Sequence, residues 1–244
     1  MALFHTHISY VSRSTGSSVC AHAAYISASK ISEDRTGSLY DYRNKKKEVL
    51  HSALFVPEGL KYLDSPEKVW NYVDAFEDKI AQARYGKHKD PVLRAKSLEA
   101  KERFLKTAST GFKMECALPI ELRAAEKIEL SERLARALFL SRNLVVHYAI
   151  HDVVGNPHVH FVSSFRPVVG GDFGKRKIYY RSSDIKNLRA HYASITNAYA
   201  KELGYNFSID HRSLKEQGVD REPTRHRGWY ASFKMLEDSR IYQE

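Results

Sequence analysis

The stretch that most constrains this chain is His151-Asp152-Val153-Val154-Gly155-Asn156-Pro157-His158-Val159-His160. It joins two apolar runs, 144–150 and 161–165, each rich in β-branched and aromatic residues. Gly155-Asn156-Pro157 breaks the chain between them, so the pattern predicts a β-hairpin with a short loop. In a strand, side chains two residues apart share a face, so His158 and His160 point the same way. With the loop centred between Val154 and Gly155, His151 stands directly across from His158. Three neutral imidazoles then converge on one patch. That donor set suits a divalent metal with positions left open for substrate. A bare His-x-His is more often a pair of surface residues. The third histidine across the turn tips the reading to a metal site.

Bulk properties narrow the partner. Net charge is +10 and the isoelectric point near 9.4, which favours a polyanionic partner, most simply nucleic acid. A basic enzyme without such a partner is the plainer alternative. The 244 residues suffice for one large domain or two small ones with a sizeable core, and a single domain over 1–244 is expected. No run is apolar enough to enter a membrane, and no signal-peptide pattern is present. Two cysteines, Cys20 and Cys116, offer no disulfide framework, so a cytoplasmic location is expected.

Taken in order, residues 2–10 read as a strand with His5, His7 and Ser9 on one face. His5-Thr6-His7 is a rival His-x-His, but it lacks a third partner nearby and is expected to line the sheet. An alanine-rich helix is predicted over 19–31, with Tyr25 among small residues. From this local pattern alone Tyr25 is a packing residue before it is anything else. Residues 32–48 are polar. They interleave Tyr40 and Tyr42 with Arg43, Lys45, Lys46 and Lys47, as suits either a single-stranded nucleic acid path or a solvated loop. A strand over 49–56 follows. Ser65-Pro66-Glu67 then starts a helix, with a capping serine and proline at the first helical position. Residues 84–108 are strongly basic and read as a loop and an exposed helix. A strand over 112–118, a helix over 120–143, the histidine hairpin, a glycine-rich loop leading to Lys175-Arg176-Lys177, and a helix over 183–203 complete the order. A short strand and a basic tail are expected beyond Tyr205. The tight turn makes part of the sheet antiparallel, and a two-layer α/β domain with helices on the sheet is expected.

Several stretches together resemble the MobA/MobL-type plasmid relaxases (the MOBQ class). They are Phe4-His5; Val11-Ser12-Arg13 with Gly16, Ser18 and Ala23-Ala24-Tyr25; Trp70-Asn71 with Val73 and Glu77; and Glu115-Cys116-Ala117-Leu118-Pro119. To these are added Ile150-His151 with Gly155 to His160, and Asp210-His211-Arg212-Ser213-Leu214 with Gln217 to Thr224 and His226. The resemblance runs in order along nearly the whole chain. It implies the HUH endonuclease fold, with a central, largely antiparallel sheet of about five strands and flanking helices. It implies a nickase that cuts one strand at a plasmid origin of transfer, with Tyr25 as nucleophile and His151, His158 and His160 as metal ligands. Replication initiators of the same fold, and a nuclease that activates water instead, are the alternatives. Lys113 departs from the pattern, because members often carry an acid two positions before the one matched by Glu115. The basic stretch 84–108 is longer than expected, as a helical insertion would be.

The chemistry implied is transesterification. Tyr25 has a free pKa of about 10 and must lose its proton during attack. Glu115, Asp152 and a bound water are all candidate acceptors. Asp152 or Glu115 is also placed to orient an imidazole. Magnesium or manganese is the expected ion. Arg43, Lys45, Lys46, Lys47, Lys175, Arg176 and Lys177 are the candidate DNA contacts. Single-stranded DNA at the transfer origin is the expected partner, with accessory relaxosome proteins and a secretion coupling protein. A further helicase or primase domain is expected in a longer form of such a protein.

Overall fold

The structure is a computed structural model and describes residues 4–220. It divides into a unit reaching Asp210 and a second unit beginning at His211. The first unit is built on a five-stranded sheet in the order β1-β5-β7-β6-β4, antiparallel at every step. The strands are β1 (Thr6–Ser12), β4 (Val49–Phe55), β5 (Ser109–Ala117), β6 (Val146–Val153) and β7 (Asn156–Ser164). Two small hairpins, β2 (Lys30–Glu33) with β3 (Ser38–Asp41) and β8 (Val168–Val169) with β9 (Asp172–Phe173), lie outside it. The helices are α1 (Val19–Ile26), α2 (Pro66–Arg84), α3 (Pro91–Thr107), α4 (Ala124–Leu138) and α5 (Ser182–Glu202).

Strand alternation sorts side chains between the two faces. Phe112, Met114 and Cys116 of β5, Tyr148 and Ile150 of β6, and Phe161 of β7 share a core with Leu130 and Leu134 of α4 and Tyr192 of α5. These are the two expected layers. On the other face, Val11, Ala149 and Val162 pack with Ala23 and Ile26 of α1 and with Trp70, Val73 and Phe76 of α2. Helices thus cover part of the second face too, which is why β6 is buried without alternation from Val146 to His151. The β6–β7 turn itself is exposed, and His158 and His160 beside it are only partly buried.

Buried ion pairs fix α2. Arg13 reaches Asp74 at 2.9 Å and Asp78 at 2.8 Å. Glu77 takes Arg166 at 2.8 Å and Lys177 at 2.9 Å, with side chains 3–6% exposed. Asn71 accepts from the Asp34 amide and donates to the Ser32 carbonyl, clamping the β2–β3 hairpin. The Trp70, Asn71 and Glu77 pattern seen in the sequence is therefore structural in its contacts. Ser65 caps α2 by accepting from the Lys68 amide, and Pro66 follows, as expected.

Four expectations change. The helix predicted over 19–31 ends at Ile26, because Ala28 turns at φ 48° and Ser29 donates to the Ala24 carbonyl. Part of the polar loop predicted over 32–48 is the β2–β3 hairpin, whose turn uses Gly37 at φ 69°. The helix predicted over 120–143 is shorter and begins at Ala124 after an Arg123–Glu126 cap. No strand follows Tyr205 among the described residues; instead Asn197 of α5 holds the Ile209 backbone through both its amide groups. The basic helix expected within 84–108 forms as α3, with no buried residue. In the second unit, Ser213 and Glu216 hydrogen-bond to each other across a turn. The signature residues from 221 to 226 lie outside the described residues.

Glu77→Ala would leave two buried cations without their carboxylate. A loss of about 3–5 kcal/mol is expected in urea unfolding; a loss under 1 kcal/mol would show that the pairs do not hold α2 in place.

Candidate active site

The hairpin forms in the predicted register. His151 on β6 faces His158 on β7 directly, and His160 lies two residues further along β7. The ring centroids are 5.3 Å apart for His151–His158, 4.6 Å for His151–His160 and 4.8 Å for His158–His160. One nitrogen from each ring lies within 4.8 Å of the others. Among the described residues this is the cluster able to hold a metal ion.

The surroundings select which nitrogen of each ring is free. His151 Nε2 lies 2.8 Å from the Ile26 carbonyl, and His158 Nδ1 lies 2.8 Å from the Asn156 carbonyl. A carbonyl can only accept, so both nitrogens carry their protons. His160 Nδ1 faces Glu115 Oε2 at 3.5 Å, across the β5–β7 pairing. Each remaining nitrogen is left with a lone pair for a cation, the arrangement that orients ligating imidazoles in metal centres. Burial lowers the pKa of His151, and burial together with the other two rings pushes His160 down to about 3. Both rings are neutral near pH 7, as a ligand must be. The residues present therefore fit a divalent ion.

Tyr25 closes the other side. It lies in the last turn of α1, its ring 6.0 Å from His151 and 6.3 Å from His160. The next residue, Ile26, supplies the carbonyl that His151 bonds. Tyr42 packs edge-on to the Tyr25 ring at 5.4 Å. Lys45 Nζ is 3.5 Å from the Tyr25 hydroxyl and 4.5 Å from the ring centre. Tyr25, Glu115 and His160 line one cavity of about 380 Å³ with His7 and His22. A larger cleft of about 700 Å³, by Phe55 and Arg136, gathers no such chemistry. The packing role that local pattern favours for Tyr25 holds in part, since the residue packs against the core under α1 while its ring also faces the histidines.

Other sequence candidates separate. His5 and His7 are both exposed; His7 stands opposite Glu115 in the β1–β5 pairing and joins the cavity wall. Asp152 does not orient an imidazole; it pairs with Lys127 at 2.6 Å. Lys45 is beside Tyr25, and Lys46 and Lys47 are exposed. Arg43 is exposed but forked onto Asp41. Lys175 and Arg176 are exposed. Lys177 is not at the surface: it is bound to Glu77 and donates to the Ser109 carbonyl, so it is withdrawn from the candidate DNA contacts. The Ile26 carbonyl and Tyr42 were not foreseen. The first is a backbone group that only the fold brings to His151. The second was visible in the basic-aromatic stretch but without an assigned place.

Comparison with known proteins bears on this site. The sequence profile of the MobA/MobL family matches residues 17–93 and 96–236. The chain belongs to the MobA/MobL family. It is 27% identical to the conjugal transfer protein TraA of Rhizobium radiobacter, over 93% of this chain and 21% of that protein. It is 30% identical to the mobilization protein MobL of Acidithiobacillus ferridurans, over 93% of this chain and 62% of that protein. The chain thus spans only about a fifth of the TraA relative. The structure reported as "Molecular Basis of Vancomycin Resistance Transfer in Staphylococcus aureus" shares its fold, with a TM-score of 0.70 at 21% identity over 87% of this chain and 100% of that one. The α/β fold, with its five-stranded antiparallel sheet and flanking helices, is the one expected from the resemblance.

Glu115→Gln would remove the carboxylate that faces His160 Nδ1. Manganese affinity measured by titration calorimetry is expected to fall by about 10- to 100-fold; unchanged affinity would dismiss Glu115 as a support of the histidine cluster.

Proposed function

We propose that this chain is a relaxase domain. It nicks one strand of DNA at a plasmid origin of transfer, stays joined to the 5′ end through Tyr25, and can reseal the strand. The observation that carries this reading is the Tyr25 ring at 6.0 and 6.3 Å from two members of a three-histidine cluster, in a chain of the MobA/MobL family. The names of its relatives, conjugal transfer and mobilization proteins, agree with it. The site and its DNA belong to the cytoplasm of a plasmid-bearing cell, where accessory proteins and a secretion coupling protein would meet the complex. No described helix is long and apolar enough to cross a membrane.

His151, His158 and His160 would hold magnesium or manganese through their unprotonated nitrogens. An ion held there would withdraw charge from the non-bridging oxygens of the scissile phosphate and so stabilise the transition state. Tyr25 Oη attacks phosphorus, and the bond from phosphorus to the 3′ oxygen breaks. The phenol gives up a proton and the departing 3′ oxygen gains one, so the products are a 5′-phosphotyrosine and a free 3′-hydroxyl. One ester replaces another, so resealing needs no nucleotide hydrolysis. Lys45, 3.5 Å from the hydroxyl, stabilises the negative charge that grows on it. Glu115 lines the same cavity as Tyr25 and is the carboxylate assigned in this reading to take its proton, directly or through water. Asp152 is engaged by Lys127 and does not serve.

Single-stranded oligonucleotides covering the transfer origin, incubated with manganese, should give a covalent band on a denaturing gel. Chelator or Tyr25→Phe should abolish both band and nick. Nicking that survives Tyr25→Phe would replace the tyrosine with an activated water.

A further inference from the structure

The sheet face that carries the histidines continues past Glu115 to a cation that the proposed chemistry leaves unused. Lys113 lies two residues before Glu115 on β5, on the same face. It pairs with Ser9 of β1 on one side and with Val162 of β7 on the other. Its Nζ is 3.1 Å from His22 Nε2, the same nitrogen that lies 2.8 Å from the Ser17 hydroxyl. His22 precedes Tyr25 by three residues on α1, so the two share a helix face. Lys113, His22 and Tyr25 all line the 380 Å³ cavity.

Lys113 differs from the other sheltered cations of the fold. Arg13, Arg166 and Lys177 each hold a carboxylate within 3 Å. Lys113 is partly buried, yet among the described residues it forms no such ion pair; its partner is an imidazole. Glu115, its neighbour along the strand, is turned to His160. Burial and the Lys113 charge hold His22 at a pKa of about 4, so the ring stays neutral and supplies no counter-charge. Burial also lowers the pKa of Lys113, with Glu115 opposing. A charge drawn partly out of water without a counter-ion is costly, and an anionic ligand in the cavity would complete it. Lys113 stands opposite Val162, two residues past His160 on β7, so it lies about 6.6 Å along the sheet and one strand across from the cluster, on the order of the separation of successive phosphates in an extended nucleic acid.

We propose that Lys113 anchors a second phosphate subsite. It takes a non-scissile backbone phosphate of the same single strand, next along the sheet from the one gripped at the histidines. His22 is its positioning residue, aiming the ammonium into the cavity beside Tyr25. One phosphate contact leaves a strand free to pivot; two fix its direction across the nucleophile. This inference rests on the nucleic-acid reading of the site above.

The test is binding of single-stranded oligonucleotides from the transfer origin, in chelator, so that neither metal nor nicking enters. Each linkage is replaced in turn by a neutral methylphosphonate. In the wild type, one linkage other than the nicked one should weaken binding several-fold. In Lys113→Gln that linkage should become silent, and the slope of log affinity against log salt should flatten by about 0.7, one phosphate's share. Lys113→Arg should restore both. His22→Gln should flatten the same slope, whereas a merely structural role would lower its melting temperature and leave the slope alone. A scan in which no second linkage matters, or a Lys113→Gln slope equal to the wild type, overturns the subsite while leaving the relaxase reading intact. A wild type that binds none of these strands overturns both.

Discussion

The hydrogen bond from His151 Nε2 to the Ile26 carbonyl, 2.8 Å long, is the contact on which the rest of the site depends. It does two things at once. It fixes the tautomer of one imidazole, so that its other nitrogen can meet a cation. It also ties the end of α1 to the sheet, and Tyr25 is the residue before Ile26. The histidine cluster and the Tyr25 phenol are thereby set against each other by one backbone oxygen. Their residues are more than a hundred positions apart in sequence, yet this one contact joins the elements that carry them.

That bond would be worth little if α1 could pivot at its other end. It cannot, because the helix start is held as firmly. Ser18 caps it by accepting from the Cys20 and Ala21 amides, and donates to the buried Glu33 carboxylate at 2.6 Å. Arg13, just upstream, is locked to Asp74 of α2. Glu77, one turn further along α2, reaches Arg166 at the end of β7. The buried charges under α2 thus serve geometry more than net stability: such pairs are costly to desolvate but demanding about position. They make a frame in which α1, β7 and β6 keep a constant relation.

Much of this was legible in the sequence where the signal was local. The hairpin register followed from a period of two and from Gly155-Asn156-Pro157, and β6 and β7 pair as that pattern requires. The start of α2 followed from a serine cap and a proline. What was not legible arose from long-range contacts. Alanine propensity ran α1 on to Ile31, but Ile31 is drawn into the core as part of β2, and Ala28 takes the turn that allows it. Lys177 read as one of three surface cations, yet a carboxylate a hundred residues earlier holds it inside. Tyr25 is the sharpest case. Its neighbours in sequence gave no sign of chemistry; the resemblance supplied the assignment, and the structure brings its ring to the histidines.

The central claim is that the phenol of Tyr25, set by the end of α1 against the histidine cluster, is the group that takes the DNA. Mass spectrometry of the trypsin-digested covalent adduct tests it most directly. Cleavage after Arg13 and Lys30 releases the peptide from Ser14 to Lys30, in which Tyr25 is the one tyrosine. The account predicts the nucleotide remnant on that peptide. A remnant on the peptide carrying Tyr40 and Tyr42 instead would contradict it, and would move the nucleophile from α1 to the neighbouring hairpin.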